Sequence, residues 1–471
     1  MTCTPRPFRR VAAALTKGLG GPRRARIIVL LACVLALNAA DTGVIGAIVQ
    51  QLRASLHIGN TQVGVLTAVP AAVGAVATLP VGQLTDRVPR VPLLAGSIVL
   101  WSLAMIVGGL AESYAWLLAS RVVLGAVTAT AGPTVASLIG DLFPPEERAA
   151  TWGRILAGEL VGVGFGLIAG GNIATFLNWR FAFWLVAVLG LVLAWLLWRM
   201  LPEPARGAQT AARGRGEAEP AQRQVERSHV KPDPRNVLAT DPERMPLLAA
   251  ARYVLRIRTN VIIIVASAIG YFFFAGLRTF AMVFVQEHYS LGQGELTAFI
   301  PVIGLAALAG VLAGGRLADR LVRQGVVTAR VAVPGVAFAL SALLFLPGLL
   351  TERALIALPL FTLAAAALAA ANPPLDAVRL DVVHFRLWGR AEAIRTIVRM
   401  AGEAVAPVLF GWFSGLPAGG RESAVGLDRA FLLALAPLLL NGLLLVRARH
   451  HYPRDVASAL ESERRYADGR R

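Results

Sequence analysis

Asp41, in the apolar stretch VLALNAADTGVIGAIV, is the first residue of this 471-residue sequence that could do chemistry. A carboxylate there can carry a proton between two environments. Holding it in hydrocarbon costs roughly 2.5–3.5 kcal/mol on insertion scales, so it needs a partner or a task. Arg121, Glu159, Arg278 and Glu403 interrupt other apolar runs in the same way. Glu392, Arg395, Arg399 and Glu403 are spaced by 3, 4 and 4, which places them on one stripe of a helix where opposite charges can pair. Burial raises the pKa of acids. Glu159 and Glu403 therefore join Asp41 as candidates for proton coupling, with a structural contact as the alternative for the two glutamates. Enzymatic chemistry has no such foothold: the sequence has no HExxH, no GxSxG, no grouped His and Cys and no Walker-type loop. No catalytic residue, metal site or cofactor is expected.

The elements that must position these charges are helices that cross a membrane. Hydrophobic residues make up 56% of the chain and charged ones 16%, short of the quarter usual in soluble domains. The apolar residues come in blocks of about twenty, the length that spans a bilayer core. Twelve such blocks are expected, at 27–50, 62–84, 91–110, 115–140, 150–175, 180–201, 260–286, 296–318, 331–350, 354–378, 390–413 and 429–446. The fold class is thus all-α membrane protein, with two six-helix bundles at 27–201 and 257–446. A basic tail (1–26), a linker (202–256) and a C-terminal tail (447–471) flank them. The linker, rich in Pro, Gly, Ala and mixed charge, reads as flexible, and its end, PLLAAARYVLRIR, reads as a short basic helix on the membrane surface.

The net charge of +18 could point to nucleic acid, but its distribution points to topology. With both termini in the cytoplasm, basic residues collect in the inner loops, as the positive-inside rule requires. No nucleic-acid partner is expected. Two cysteines, Cys3 and Cys33, imply no disulfide framework.

The two bundles repeat each other. GQLTDRVPR at 82–90 returns as GRLADRLVR at 315–323, each at the inner end of the second span of its set. Pro133 precedes Asp141 by eight residues, as Pro373 precedes Asp381, and AGE at 157–159 recurs at 401–403. The offsets are 233, 240 and 244. Internal repeats of this kind build secondary transporters, in which one half rocks on the other around a midplane site.

These motifs resemble the major facilitator superfamily. Gly82, Leu84, Asp86, Arg87 and Arg90 are similar to that family's signature loop, and Gly315, Leu317, Asp319, Arg320 and Arg323 to its second copy. SRVVLGAV at 120–127, LFPPEERA, NWRFAF at 178–183 and LPEP fit as well. The resemblance implies twelve helices in two pseudo-symmetric halves, alternating access and a proton gradient as the driving force. It also implies a conformational latch in which Asp86 meets the inner end of helix eleven near Gly389. A narrower resemblance is to the Spinster-like, lipid-transporting branch, carried by ALNAADTGVIGAI, ASRVVLGAVTATAGPTVASLIGDLF and RLDVVHFRLWGRAEAIRTIVRMAGEAVAPVLFGWFSG. That branch usually has Asp-Arg where this chain has Asp41-Thr42, and Glu where Thr128 stands.

In the family, helices one, four, seven and ten line the cavity. Aligning the halves at an offset of 236 places Asp41-Thr42 opposite Leu277-Arg278, so Arg278 is the expected partner of Asp41, or a ligand of an anionic substrate. A static salt bridge is the alternative. Thr128, Arg399 and Tyr271 complete the expected substrate set. Arg121 either assists proton transfer or snorkels to the outer interface. Asp376 and Arg379, three apart, are expected to form a local ion pair, and Pro373-Pro374 to break helix ten. Of the consecutive Tyr271, Phe272, Phe273 and Phe274, some should meet lipid. An apolar cavity with few fixed charges suits an amphiphilic, lysophospholipid-like substrate. Proton/drug antiport and small organic-anion transport are the alternatives. The expected partners are this substrate and membrane lipids, with the protein a monomer in a bacterial inner membrane.

Overall fold

A computed structural model of the chain describes residues 21–143, 145–204, 220–238, 242, 245–384, 387–415 and 424–468. The side chains of Asp86 and Arg87 and the surroundings of Gly82 and Gly389 lie outside that description, as does the basic tail before Gly21. Among the described residues the regular elements are helices, and they fall into two units, 1–56 with 73–214 and 57–72 with 215–471.

The first unit holds α1 (Pro22–Ala47), α2 (Val49–Leu56), most of α3 (Asn60–Arg87), α4 (Arg90–Gly109), α5 (Tyr114–Thr128), α6 (Ala131–Leu142), α7 (Pro145–Phe176) and α8 (Trp179–Met200). Its tightest seam is α1 against α7. Alanine-sized Cβ atoms built on Gly158, Gly162 and Gly166 would lie 2.4, 2.1 and 2.2 Å from the carbonyl oxygens of Ala32, Ala36 and Ala40. Small residues every fourth position let two backbones touch, which is how membrane helices gain packing energy without a hydrophobic driving force.

The second unit holds α9 (Pro220–Arg227), a 3-10 turn (Pro234–Asn236), α10 (Leu247–Arg256), α11 (Arg258–Tyr289), α12 (Gln293–Arg323), α13 (Ala329–Leu350), α14 (Ala354–Ala370), α15 (Asn372–Val382), α16 (Trp388–Ser414), α17 (Ala424–Ala448) and α18 (Tyr452–Asp468). The first half of α3 belongs here too: Asn60 Nδ2 donates to Ser414 Oγ at 3.0 Å, and Gly64 sits on the backbone of Pro407.

Among the described residues, ten helices are long and apolar enough to cross a membrane. The other two expected spans are present as helices with physical reasons to fall short. The fourth breaks after Thr128 into α5 and α6. The eleventh, α16, carries Arg390, Glu392, Arg395, Arg399 and Glu403, which lower its hydropathy. Helix ten breaks at Ala371, just before Pro373-Pro374, as proline's missing N–H requires. The expected flexible linker differs. Residues 220–238 are folded onto α18, with Gln222, Val225, Asn236 and Leu238 buried. Ser462 Oγ accepts from Leu238 N, Ser458 Oγ accepts from Asp233 N, and Asp455 accepts from Asn236 Nδ2 and Thr259 N. The sequence masks this because Val225 and Leu238 are isolated apolar residues and the other contacts are polar hydrogen bonds.

Candidate functional site

Asp41 and Arg121 form one buried pair. Arg121 Nη1 donates to Asp41 Oδ1 at 2.7 Å, with the Arg121 side chain wholly buried and that of Asp41 6% exposed. Arg121 Nη2 reaches Met105 Sδ at 3.4 Å, and the guanidinium stands 4.8 Å from the centre of the Phe183 ring. Arg121 therefore does not snorkel. Asp41 and Arg278, the expected pair, each have a partner inside their own unit, Arg121 on α5 and Glu403 on α16. Thr128, at the last position of α5, donates its hydroxyl to Gly125 O at 3.0 Å.

The second unit gathers Arg278, Arg399, Glu403 and Tyr271. Arg278 Nη2 is 4.0 Å from Glu403 Oε2 and Arg399 Nε is 3.6 Å from Glu403 Oε1. The Arg399 guanidinium lies 4.5 Å from the Tyr271 ring centre, and that of Arg278 lies 5.7 Å from Phe274. Tyr271 meets Phe274 edge to face. Two guanidinium groups approach one carboxylate loosely, beside an aromatic wall. Arg278 Nε is buried and donates no hydrogen bond. In the aromatic run, Tyr271, Phe272 and Phe274 are half-buried. Phe273 is buried against Phe345 and Phe272 meets Phe410, while Tyr271 and Phe274 flank the arginines.

Glu403 and Glu159 occupy matching places. Each follows a glycine that seats on a matching alanine, Gly158 on Ala32 and Gly402 on Ala268. Further along the stripe, Arg395 bonds Glu392 at 3.2 Å. The expected Asp376–Arg379 pair is instead crossed between helices: Asp376 is 2.6 Å from Arg395, and Arg379 pairs with Glu392. Asp376 and Arg379 of α15 thus each face an opposite charge on α16, which a three-residue local pair would leave unmatched.

The repeated loops position a charge cluster in each unit. Arg90 pairs with Asp141 and lies 3.2 Å from Glu203, and it also donates to Ser137 Oγ and Pro204 O. Glu203 further accepts from the backbone N–H groups of Arg90 and Val91 at the start of α4, where the helix dipole favours an anion. In the second unit Arg330 donates to Asp381 at 2.6 Å and to Asp319 at 3.2 Å, and Tyr452 OH donates to Asp381 at 2.5 Å. Arg330, not Arg323, thus takes the place of Arg90. The side chain of Arg323 is exposed, like that of Arg320, because a longer loop separates α12 from α13. The signal was available. The offset of 240 that maps Asp141 onto Asp381 also maps Arg90 onto Arg330. Gly315 lies half-buried beside Pro373. Among the described residues no group of His, Cys, Asp and Glu is placed to hold a metal.

Residues 31–407 match the Major Facilitator Superfamily. The chain belongs to that family. Its relatives include spinster of Drosophila melanogaster, 28% identical over 38% of this chain and 30% of the relative. Spinster homolog 3 of Mus musculus is 26% identical over 90% of this chain and 82% of the relative. An MFS-type transporter of Aspergillus terreus is 31% identical over 34% of this chain. The chain spans under a third of the length of that protein and of Drosophila spinster. The fold is similar to that of a bacterial homolog of the human lysosomal transporter Spinster, with a TM-score of 0.70 and 21% identity over 94% of this chain and 98% of the other. This chain is a multi-pass membrane protein of that superfamily.

Proposed function

We propose that the chain couples proton movement to the transport of an anionic amphiphile of lysophospholipid type, by alternating access, across a bacterial inner membrane with both termini cytoplasmic. The observation that carries the reading is the buried Asp41–Arg121 pair. With Asp41 ionised the pair is neutral. A proton on Asp41 leaves the Arg121 charge beside the Phe183 ring and the Met105 sulfur, neither of which carries a negative charge. A buried ion that loses its counter-ion is penalised by several kcal/mol. The link between α1 and α5 through this pair therefore depends on protonation, and this makes a two-state element.

The substrate class follows from the other cluster. Arg278 and Arg399 bring two guanidinium groups together beside Glu403, and guanidinium groups bind a phosphate or carboxylate through paired hydrogen bonds. Tyr271, Phe272 and Phe274 offer the apolar wall along which a tail would lie. Drug antiport is the second reading. An MFS-type efflux pump of Mycolicibacterium smegmatis is 26% identical over 64% of this chain. A cationic drug, however, would meet the wrong sign of charge at Arg278 and Arg399.

The test is a thermal-shift series on purified protein with a lysophospholipid, a lipophilic cation and a short organic anion. Lysophospholipid should raise Tm, and Arg278→Gln with Arg399→Gln should abolish the rise. Stabilisation by the cation alone would overturn the substrate class in favour of drug antiport, and stabilisation by the short anion alone would remove the amphiphile.

A further inference from the structure

The start of α1 and the end of α8 enclose a cleft of about 420 Å³ lined by Arg23, Arg26, Ile27, Arg199, Met200 and Leu201. Its chemistry is unlike that of either cluster above. Arg23 and Arg26 stand three apart on one helix face and Arg199 comes from the neighbouring helix. All three side chains are exposed. None has a carboxylate partner among the described residues, and the nearest acid in sequence, Glu203, is engaged by Arg90.

Three guanidinium groups around one cleft repel one another unless an anion lies between them. Their position aggravates the imbalance. The first turn of α1 has no acidic residue and no side-chain cap, so the positive end of its dipole adds to the same charge. Positive residues gathered at a membrane surface for topology alone would have no reason to converge on a cleft. The cleft also has an apolar lining, with Ile27 and Leu201 buried and Met200 exposed.

Its depth in the membrane is marked by tryptophan. Trp195 and Trp198 are 64% and 65% exposed in the last two turns of α8, immediately before Arg199. Exposed tryptophan near the end of a spanning helix sits at headgroup level. The cleft therefore opens where the phosphates of one leaflet lie, with acyl chains beside it.

We infer that this cleft binds the phosphate of an anionic phospholipid, with Arg23, Arg26 and Arg199 as the phosphate ligands and Ile27, Met200 and Leu201 as the seat of the first acyl carbons. The site is separate from the transport site, and its occupant is a resident of the bilayer. Basic recesses between spanning helices recognise anionic headgroups by this combination of charge and apolar lining.

Native mass spectrometry of the full chain in a neutral detergent tests the assignment, with diacyl phosphatidylglycerol and phosphatidylcholine as probes. Phosphatidylglycerol should be retained and phosphatidylcholine largely lost. Arg23→Gln, Arg26→Gln and Arg199→Gln together should weaken phosphatidylglycerol binding roughly a hundredfold. Arg278→Gln with Arg399→Gln should leave it unchanged, which separates this site from the proposed substrate cluster. An unaltered Tm for the triple variant shows that it is folded. Equal retention of phosphatidylglycerol by wild type and triple variant would overturn the site. Displacement of the lipid by millimolar inorganic phosphate would overturn the lipid as occupant and identify free phosphate instead.

Discussion

Arg121 is the residue on which the account turns, and its burial makes its energetics testable. It is wholly buried and its side chain depends on one carboxylate, that of Asp41. Replacing Arg121 with Gln leaves Asp41 buried without its counter-ion, which costs about 3–5 kcal/mol. Removing both charges, in Asp41→Asn with Arg121→Gln, removes the uncompensated ion as well. The single variant should therefore show a markedly lower Tm in detergent, and the double variant should recover most of it. A double variant no more stable than Arg121→Gln would show that the two residues are not energetically coupled. The identity of this partner was not legible in the sequence, because Asp41 and Arg121 are separated by 80 positions with no motif linking them. Arg278 was legible as a charge in need of a partner, and so was the stripe on α16, where Arg399 and Glu403 pair at the spacing a helix imposes.

At the scale of elements, the seam between α1 and α7 sets how closely the first bundle can pack. A Cβ on Gly162 would lie 2.1 Å from Ala36 O and 2.6 Å from its Cα, so even alanine forces two backbones apart. Overpacking of this kind costs about 1–3 kcal/mol. Gly153, on the same helix, has open space around it, and alanine there gains about 1 kcal/mol of helix propensity. Gly162→Ala should lower Tm while Gly153→Ala leaves it level or raises it. A fall of equal size in both would mean that helix propensity, not contact, governs α7. The second unit repeats this seam only in part. Gly402 seats on Ala268 as Gly158 does on Ala32, but Phe410 fills the space beside Gly276, where the first unit continues with glycine. Sequence spacing made the glycine-rich helix visible. Which glycines touch a neighbour depends on the facing residues of α1, and these lie more than a hundred positions away.

The whole molecule was legible in outline because duplication leaves local marks. The repeated charged loop, the Pro–Asp pairs and the two AGE segments together required two matching bundles, and the family match over residues 31–407 agrees. Loop insertions hid the finer correspondence. Arg330 was missed because the loop before α13 shifts it seven positions from Arg323. The fold of residues 220–238 onto α18 is not legible because its two buried apolar residues, Val225 and Leu238, make no hydrophobic period and its other contacts are polar. The proposal that joins these parts into a transporter is proton transfer on Asp41. Flux of lysophospholipid into proteoliposomes, measured with and without an imposed pH gradient, tests it most directly when wild type is set beside Asp41→Asn. The gradient should accelerate flux by wild type at least several-fold and have no effect on Asp41→Asn, which should still exchange substrate down its own gradient. An Asp41→Asn variant that responds to the pH gradient as wild type does would contradict the account.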